Sequence, residues 1–139
     1  MKNGYLGIMD ILGDQFYISL MSDDYGKDCI KLLTLRSPEY DASKETTTGK
    51  IDYMYNMLRT ACVLFFGKPD DEVITANTNE SMHDLNYVFP RYGILLTDDF
   101  VNLDGDGTIV SFWRDDPKVT LSGNKEGNTI VLYLHISYE

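Results

Sequence analysis

The chain has 139 residues, with 12 Lys and Arg against 22 Asp and Glu and a formal net charge of −10. That length suits one compact domain, residues 1–139, burying about two-thirds of its extended-chain surface without disulfide or metal support. A hydrophobic share of 43% with ten tyrosines argues against disorder. A phosphate-backbone binder needs clustered Lys and Arg, which are missing here, so nucleic acid is excluded as a partner; an anionic membrane surface would repel the chain for the same reason. A basic protein would instead be attracted. Cys29 and Cys62 are too few and too far apart for a metal or redox motif, and are expected as reduced, buried thiols. Asp10 and Asp14 interrupt the apolar N-terminal segment, so it does not read as a signal peptide, and no run reaches 18 apolar residues. The expectation is a cytoplasmic protein.

In chain order, the first forty residues read as extended segments. Gln15–Met21 mixes aromatic and β-branched residues, Ser22–Asp28 supplies a turn, and Cys29–Arg36 resumes an apolar strand that Ser37-Pro38 stops. The two segments fit a hairpin, although Cys29–Leu33 fits a short helix as well. A polar loop over 39–50 is followed by the clearest helix. Ile51, Met54, Tyr55, Leu58, Cys62, Phe65 and Phe66 recur at three- and four-residue steps and form one stripe. Gly67 and Pro69 stop it. A second, shorter helix is expected to begin near Asn79 and to end at Pro90. Beyond it lie Tyr92–Leu96 as a strand, the acidic turn Thr97–Phe100, a strand Gly107–Trp113, and two more strands, Lys118–Ser122 and Asn128–Tyr138, joined by Gly123–Asn128. In the last strand Ile130, Leu132, Leu134, Ile136 and Tyr138 share one face. Val131, Tyr133, His135 and Ser137 share the other. The fold expected is α+β: a mainly antiparallel sheet packed by one long helix and a shorter second helix.

The segment Asn102–Trp113 places Asn102, Asp104, Asp106, Gly107 and Ile109 where an EF-hand calcium loop has its first, third, fifth, sixth and eighth residues. Its twelfth position, the bidentate glutamate of such loops, is Trp113. Its ninth is Val110, and a strand follows in place of an exiting helix. The segment therefore reads as a rigid acidic turn, with Gly105 and Gly107 permitting the bend. No metal or other cofactor is expected.

Catalytic constellations are also absent. His83 and His135 are the only histidines, Cys62 falls on the apolar helix stripe, and there is no phosphate loop, nucleophile elbow or paired-His motif. What stands out is acid. Between Thr97 and Pro117 six aspartates, Asp98, Asp99, Asp104, Asp106, Asp115 and Asp116, accompany one basic residue, Arg114, and are interleaved with Phe100, Phe112 and Trp113. Asp23, Asp24 and Asp28 around Tyr25 form a second patch. Solvated loops at one end of a sheet would look like this. So would an interface whose carboxylates meet Arg and Lys of a basic partner while aromatic residues such as Phe112 and Tyr25 anchor the contact.

The run Asp104–Trp113 resembles a pattern of immunity proteins from bacterial contact-dependent growth inhibition systems, in which an Asp-Gly-Asp-Gly turn leads into a strand carrying Ser and, two positions on, Trp. Asp104, Gly105, Asp106, Gly107, Ser111 and Trp113 match it. Phe112 departs, standing where the pattern has an acidic residue. The resemblance implies a cytoplasmic, non-catalytic protein that neutralises the toxin domain of an exported partner. Such toxins are often nucleases with basic clefts, which an acidic protein can occlude. The alternative is a small acidic ligand- or metal-binding domain using the same Asp-rich loops.

Overall fold

A computed structural model describes residues 4–22, 30–77, 82–83 and 97–138. Among these residues nine strands form one antiparallel sheet: β1 Gly4–Ile11, β2 Asp14–Ser22, β3 Ile30–Arg36, β4 Tyr40–Asp41, β5 Asp71–Asn77, β6 Met82–His83, β7 Gly107–Trp113, β8 Lys118–Glu126 and β9 Thr129–Ser137. Eight of them run in the order β1-β2-β3-β9-β8-β7-β5-β6, and β4 lies beside β9. β4 continues the track of β3, because both pair with β9. At the break between them, the Ser37 N–H donates to the Leu132 carbonyl, and Ser37 Oγ accepts the Leu132 N–H, each at 2.8 Å. A hydroxyl thus stands in for the backbone acceptor that the interrupted strand cannot supply.

Helix α1, Glu45–Phe66, lies across one face. The even residues of β9 (Ile130, Leu132, Leu134, Ile136) and the odd residues of β7 (Ile109, Ser111, Trp113) point at it, and with Phe16, Leu35, Ile74, Val119 and Leu121 they enclose the core. This is the facing expected of β9 from its alternation, except that Tyr138 falls past the strand end and is half exposed. Of the expected helix stripe, Ile51, Met54, Tyr55, Leu58 and Cys62 are buried and Phe66 is partly so. Phe65 is not: it is 82% exposed. The last turn closes instead on Trp113, whose Nε1 donates to the Gly67 carbonyl at 2.8 Å. Gly67 ends the helix at φ 85°, a backbone region that costs glycine nothing.

Polar contacts fix α1 along its length. Near its start Lys50 Nζ lies 3.2 Å from Asp14 Oδ1, and the buried Tyr40 hydroxyl donates to Asp14 Oδ2 at 2.7 Å. At its end stands the Trp113 contact. Between them lies a buried network. Arg59 Nε and Nη2 donate to Glu72 Oε2 and Oε1 at 2.5 and 2.6 Å, Ser111 Oγ donates to Glu72 Oε2 at 2.9 Å, and the Tyr55 hydroxyl sits 2.9 Å from Ser111 Oγ while donating to the Leu121 carbonyl at 3.1 Å. Two opposite charges withdrawn from water are tolerable only with such complete partnering.

Several expectations need correction. The shorter helix near Asn79 is not found: Met82 and His83 pair as strand β6 with Asn77 and Ala76, and the rest of that segment lies outside the described residues. Thr97–Phe100 is not an open turn, since Asp98–Val101 makes a single helical turn, α2, with the Val101 N–H on the Thr97 carbonyl at 3.0 Å. β5 was not read from the sequence at all. β8 runs on through Glu126, so the connection to β9 shrinks to Gly127-Asn128. Cys29–Leu33 resolves as strand from Ile30 onward, Cys29 itself and Tyr92–Leu96 lying outside the described residues. No helix among the described residues is long and apolar enough to cross a membrane.

Two outcomes are expected of this core. Arg59→Met alone leaves Glu72 charged and buried, and should cost about 3–5 kcal/mol in urea unfolding, whereas Arg59→Met/Glu72→Met should recover most of that loss. The second concerns alkali. Burial pushes the Cys62 thiol up from 9.0 to about 11, and raises the Tyr55 and Tyr40 phenols above their ordinary 10.0. In the unfolded chain these groups ionise at their ordinary values, so stability is intact below pH 9, falls between pH 9 and 11 through Cys62, and falls further above pH 10 through the tyrosines. Urea midpoints measured from pH 8 upward should show a shallower decline between pH 9 and 10 in Cys62→Ala than in the wild type.

Candidate partner-binding surface

The acidic residues that lie close together in sequence are divided by β7. Asp104 and Asp106 precede the strand and Asp115 and Asp116 follow it. Seven residues of strand put these two groups about 20 Å apart, at about 3.3 Å per residue. They form two sites, one at each end.

The leading end is bound into the fold. Asp106 Oδ1 accepts the Gly127 N–H of the β8–β9 turn at 2.8 Å. A Cβ on Gly107 would stand 2.3 Å from Leu103 Cδ1 and 2.7 Å from the Thr75 carbonyl, so only glycine lets β7 pass so close to β5. Lys125, pointing inward from β8, donates Nζ to the Val101 carbonyl at 2.9 Å and to the Leu103 carbonyl. It thereby satisfies acceptors left over by the single turn α2. Burial lowers its pKa, and the charges of Asp104 and Asp106 oppose that shift. Asp98 and Asp99 contribute backbone to α2; their side chains lie outside what the structure describes.

The trailing end is open. Asp115 and Asp116 are exposed, and with Asp70, Lys68, Phe65, Phe66, Trp113 and Pro117 they line a notch of about 330 Å³ between the end of α1 and the β7–β8 connection. Its walls are held from behind. The Arg114 N–H donates to Asp70 Oδ2 at 2.6 Å, the Arg114 guanidinium pairs with Asp71, and the Asp70 N–H donates to the Phe112 carbonyl at 2.7 Å. Asp115 and Asp116 therefore project from a braced loop beside an exposed phenyl ring.

The aromatic residues expected to accompany the acids part company with them. Phe100 and Trp113 are core. Phe112 is half-buried on the sheet face opposite Trp113, as strand alternation requires. Asp23, Asp24 and Tyr25 lie outside the described residues. The aromatic that does reach the acidic loop, Phe65, was assigned from the sequence to the buried stripe. Its signal was its place in the last turn, two residues before the helix-ending glycine. His135 Nδ1 lies 3.1 Å from Thr34 Oγ1, on the face away from α1. Among the described residues no three His, Cys, Asp or Glu side chains come together in a way that could hold a metal ion.

No family model, no curated protein and no solved structure matches the chain.

Lys125→Met removes both donors from the Val101 and Leu103 carbonyls, and should cost about 1–3 kcal/mol in urea unfolding. Limited proteolysis of that variant should show its earliest new cuts between α2 and β7.

Proposed function

We propose that this protein is a non-catalytic immunity-type protein, acting in the cytoplasm, that binds a basic cognate toxin domain, of the nuclease class, and covers its active site. The observation that carries this reading is the notch at the trailing end of β7. Asp115, Asp116 and Asp70 surround a space beside Phe65, which no neighbour covers to more than a fifth of its surface. An arginine or lysine entering there would find carboxylate acceptors and an aromatic face together, the pairing that makes cationic side chains effective anchors. The net charge of −10 supports the same partner by steering a basic surface toward the chain. The reading also rests on the resemblance of Asp104–Trp113 to the immunity pattern. Inhibition would be stoichiometric, with no turnover.

The direct test is rescue. The toxic C-terminal domain encoded immediately upstream would be expressed with and without this protein and the mixture run on gel filtration. Survival together with a one-to-one complex supports immunity; no survival and no complex, with both proteins folded, sinks it. For the surface itself, Asp115→Lys/Asp116→Lys should slow association about tenfold or more at low salt and much less at high salt, as screening removes the steering. Phe65→Ala should leave stability within about 0.5 kcal/mol and speed dissociation. A salt dependence unchanged by the reversal would place the interface elsewhere. Saturable micromolar binding of calcium or magnesium in calorimetry would favour the ligand-binding alternative instead.

A further inference from the structure

We propose that the outer edge of β1 is a self-association surface, on which two copies of this chain pair their β1 strands antiparallel about a two-fold axis at Gly7. β1 is hydrogen-bonded to β2 on one side, in unbroken register from Gly4 opposite Met21 to Ile11 opposite Asp14. On its other side no described residue pairs with it. Leu12 and Gly13 form the connecting turn with φ 53° and 90°, both positive, as in a two-residue type I′ hairpin. In that hairpin Ile11 and Asp14 make a hydrogen-bonded rung, and rungs alternate from there. The backbone groups of Tyr5, Gly7, Met9 and Ile11 are thus spent on β2, while those of Gly4, Leu6, Ile8 and Asp10 face outward.

Edges exposed in this way are ordinarily blunted with lysine, proline or a bulge. β1 has none of these, and Asp10 is its one charge in a chain of net charge −10. It presents apolar side chains on both sides of the sheet instead. Leu6 and Ile8 are 82% and 63% exposed on the face away from α1, and Tyr5 and Met9 are 59% and 48% exposed on the face toward it.

The order of those residues is what selects a second copy as the occupant. Outward from Gly7 the strand reads Leu6 and Ile8, then Tyr5 and Met9, then Gly4 and Asp10. An antiparallel copy centred on Gly7 sets Leu6 against Ile8, Tyr5 against Met9, and Asp10 against Gly4, so that the strand's single charge never meets its equivalent. The same register pairs the outward-facing positions with one another, 4 with 10 and 6 with 8, making hydrogen-bonded rungs. Gly7 then meets Gly7 on the central non-hydrogen-bonded rung, where the chains come closest. Moving the axis to Ile8 would oppose Leu6 with Asp10. Moving it to Leu6 would oppose Tyr5 and Ile8 with glycines. Of these, only the Gly7 axis mates all four exposed apolar side chains of the strand, Tyr5, Leu6, Ile8 and Met9, with one another.

Each copy repels the other through its net charge, so screening should tighten this association. The proposed complex with a basic partner should weaken with salt, and the two readings therefore stand or fall separately. The experiment is sedimentation of the full chain from about 1 to 200 µM, the range in which an interface of this small size registers, at low and at high salt. The expected result is a monomer–dimer equilibrium whose dissociation constant falls as salt rises. Leu6→Lys/Ile8→Lys and Leu6→Asp/Ile8→Asp, checked for folding by circular dichroism, should each weaken the dimer at least about tenfold, since like charges then stand opposite. Mixing the two variants should restore it as a heterodimer, position 6 of one meeting position 8 of the other. A wild type that stays monomeric throughout at high salt overturns the proposal, whatever the variants do. So does a Lys variant that dimerises as tightly as the wild type.

Discussion

The bidentate pair between Arg59 and Glu72 is the constraint to which the rest of this fold accommodates itself. It joins the middle of α1 to β5 inside the core, and a buried ion pair is costly unless every remaining acceptor and donor is met. The Ser111 hydroxyl meets one Glu72 oxygen, Tyr55 meets Ser111, and the Leu121 carbonyl receives the Tyr55 hydroxyl. Helix, β5, β7 and β8 are thereby set at one fixed offset. Hydrophobic contact alone would tolerate a helix displaced by a fraction of a turn; a two-pronged guanidinium–carboxylate contact does not.

The same feature explains what could be read from the sequence and what could not. Where burial follows apolarity, the reading was accurate: β9 with its alternating faces, the stripe of α1 from Ile51 to Cys62, the stop at Gly67, and the β2–β3 pairing all follow from periodicity. It failed where a charge points inward. Glu72 breaks the alternation of β5, so a strand with buried Ile74 and Ala76 leaves no clear period in the sequence. Lys125 does the same in β8, where a buried ammonium made the last rungs of a hairpin resemble its loop. Arg59 stands outside the apolar stripe of α1, yet it is buried as deeply as the stripe's own Leu58. Periodicity assigns charge to water, and each of these three is paid for by partners distant in sequence.

The candidate surface was legible to the same degree. Asp115 and Asp116 were recognisable as an acidic loop after a strand, and the structure gives them a braced base and a notch. Grouping them with Asp104 and Asp106 could not survive the geometry, because a strand that separates residues by nine positions in sequence also separates them by most of the width of a small domain. Phe65 was hidden for the opposite reason: it keeps the spacing of the stripe, but the last turn rests on Val63 and Phe66 and leaves it exposed.

Four of the six residues that carry the Asp104–Trp113 resemblance are engaged within the domain. Asp106 holds the β8–β9 turn, Gly107 lets two strands close, Ser111 completes the ion-pair network, and Trp113 fastens the helix end. Beyond the motif, Arg114 braces the loop, while the exposed Asp115 and Asp116 side chains carry no such contact among the described residues. A lineage keeping those inward positions could exchange Asp115, Asp116 and Phe65 for quite different chemistry without unfolding. The motif would then hold the domain's shape, while Asp115, Asp116 and Phe65 changed its surface.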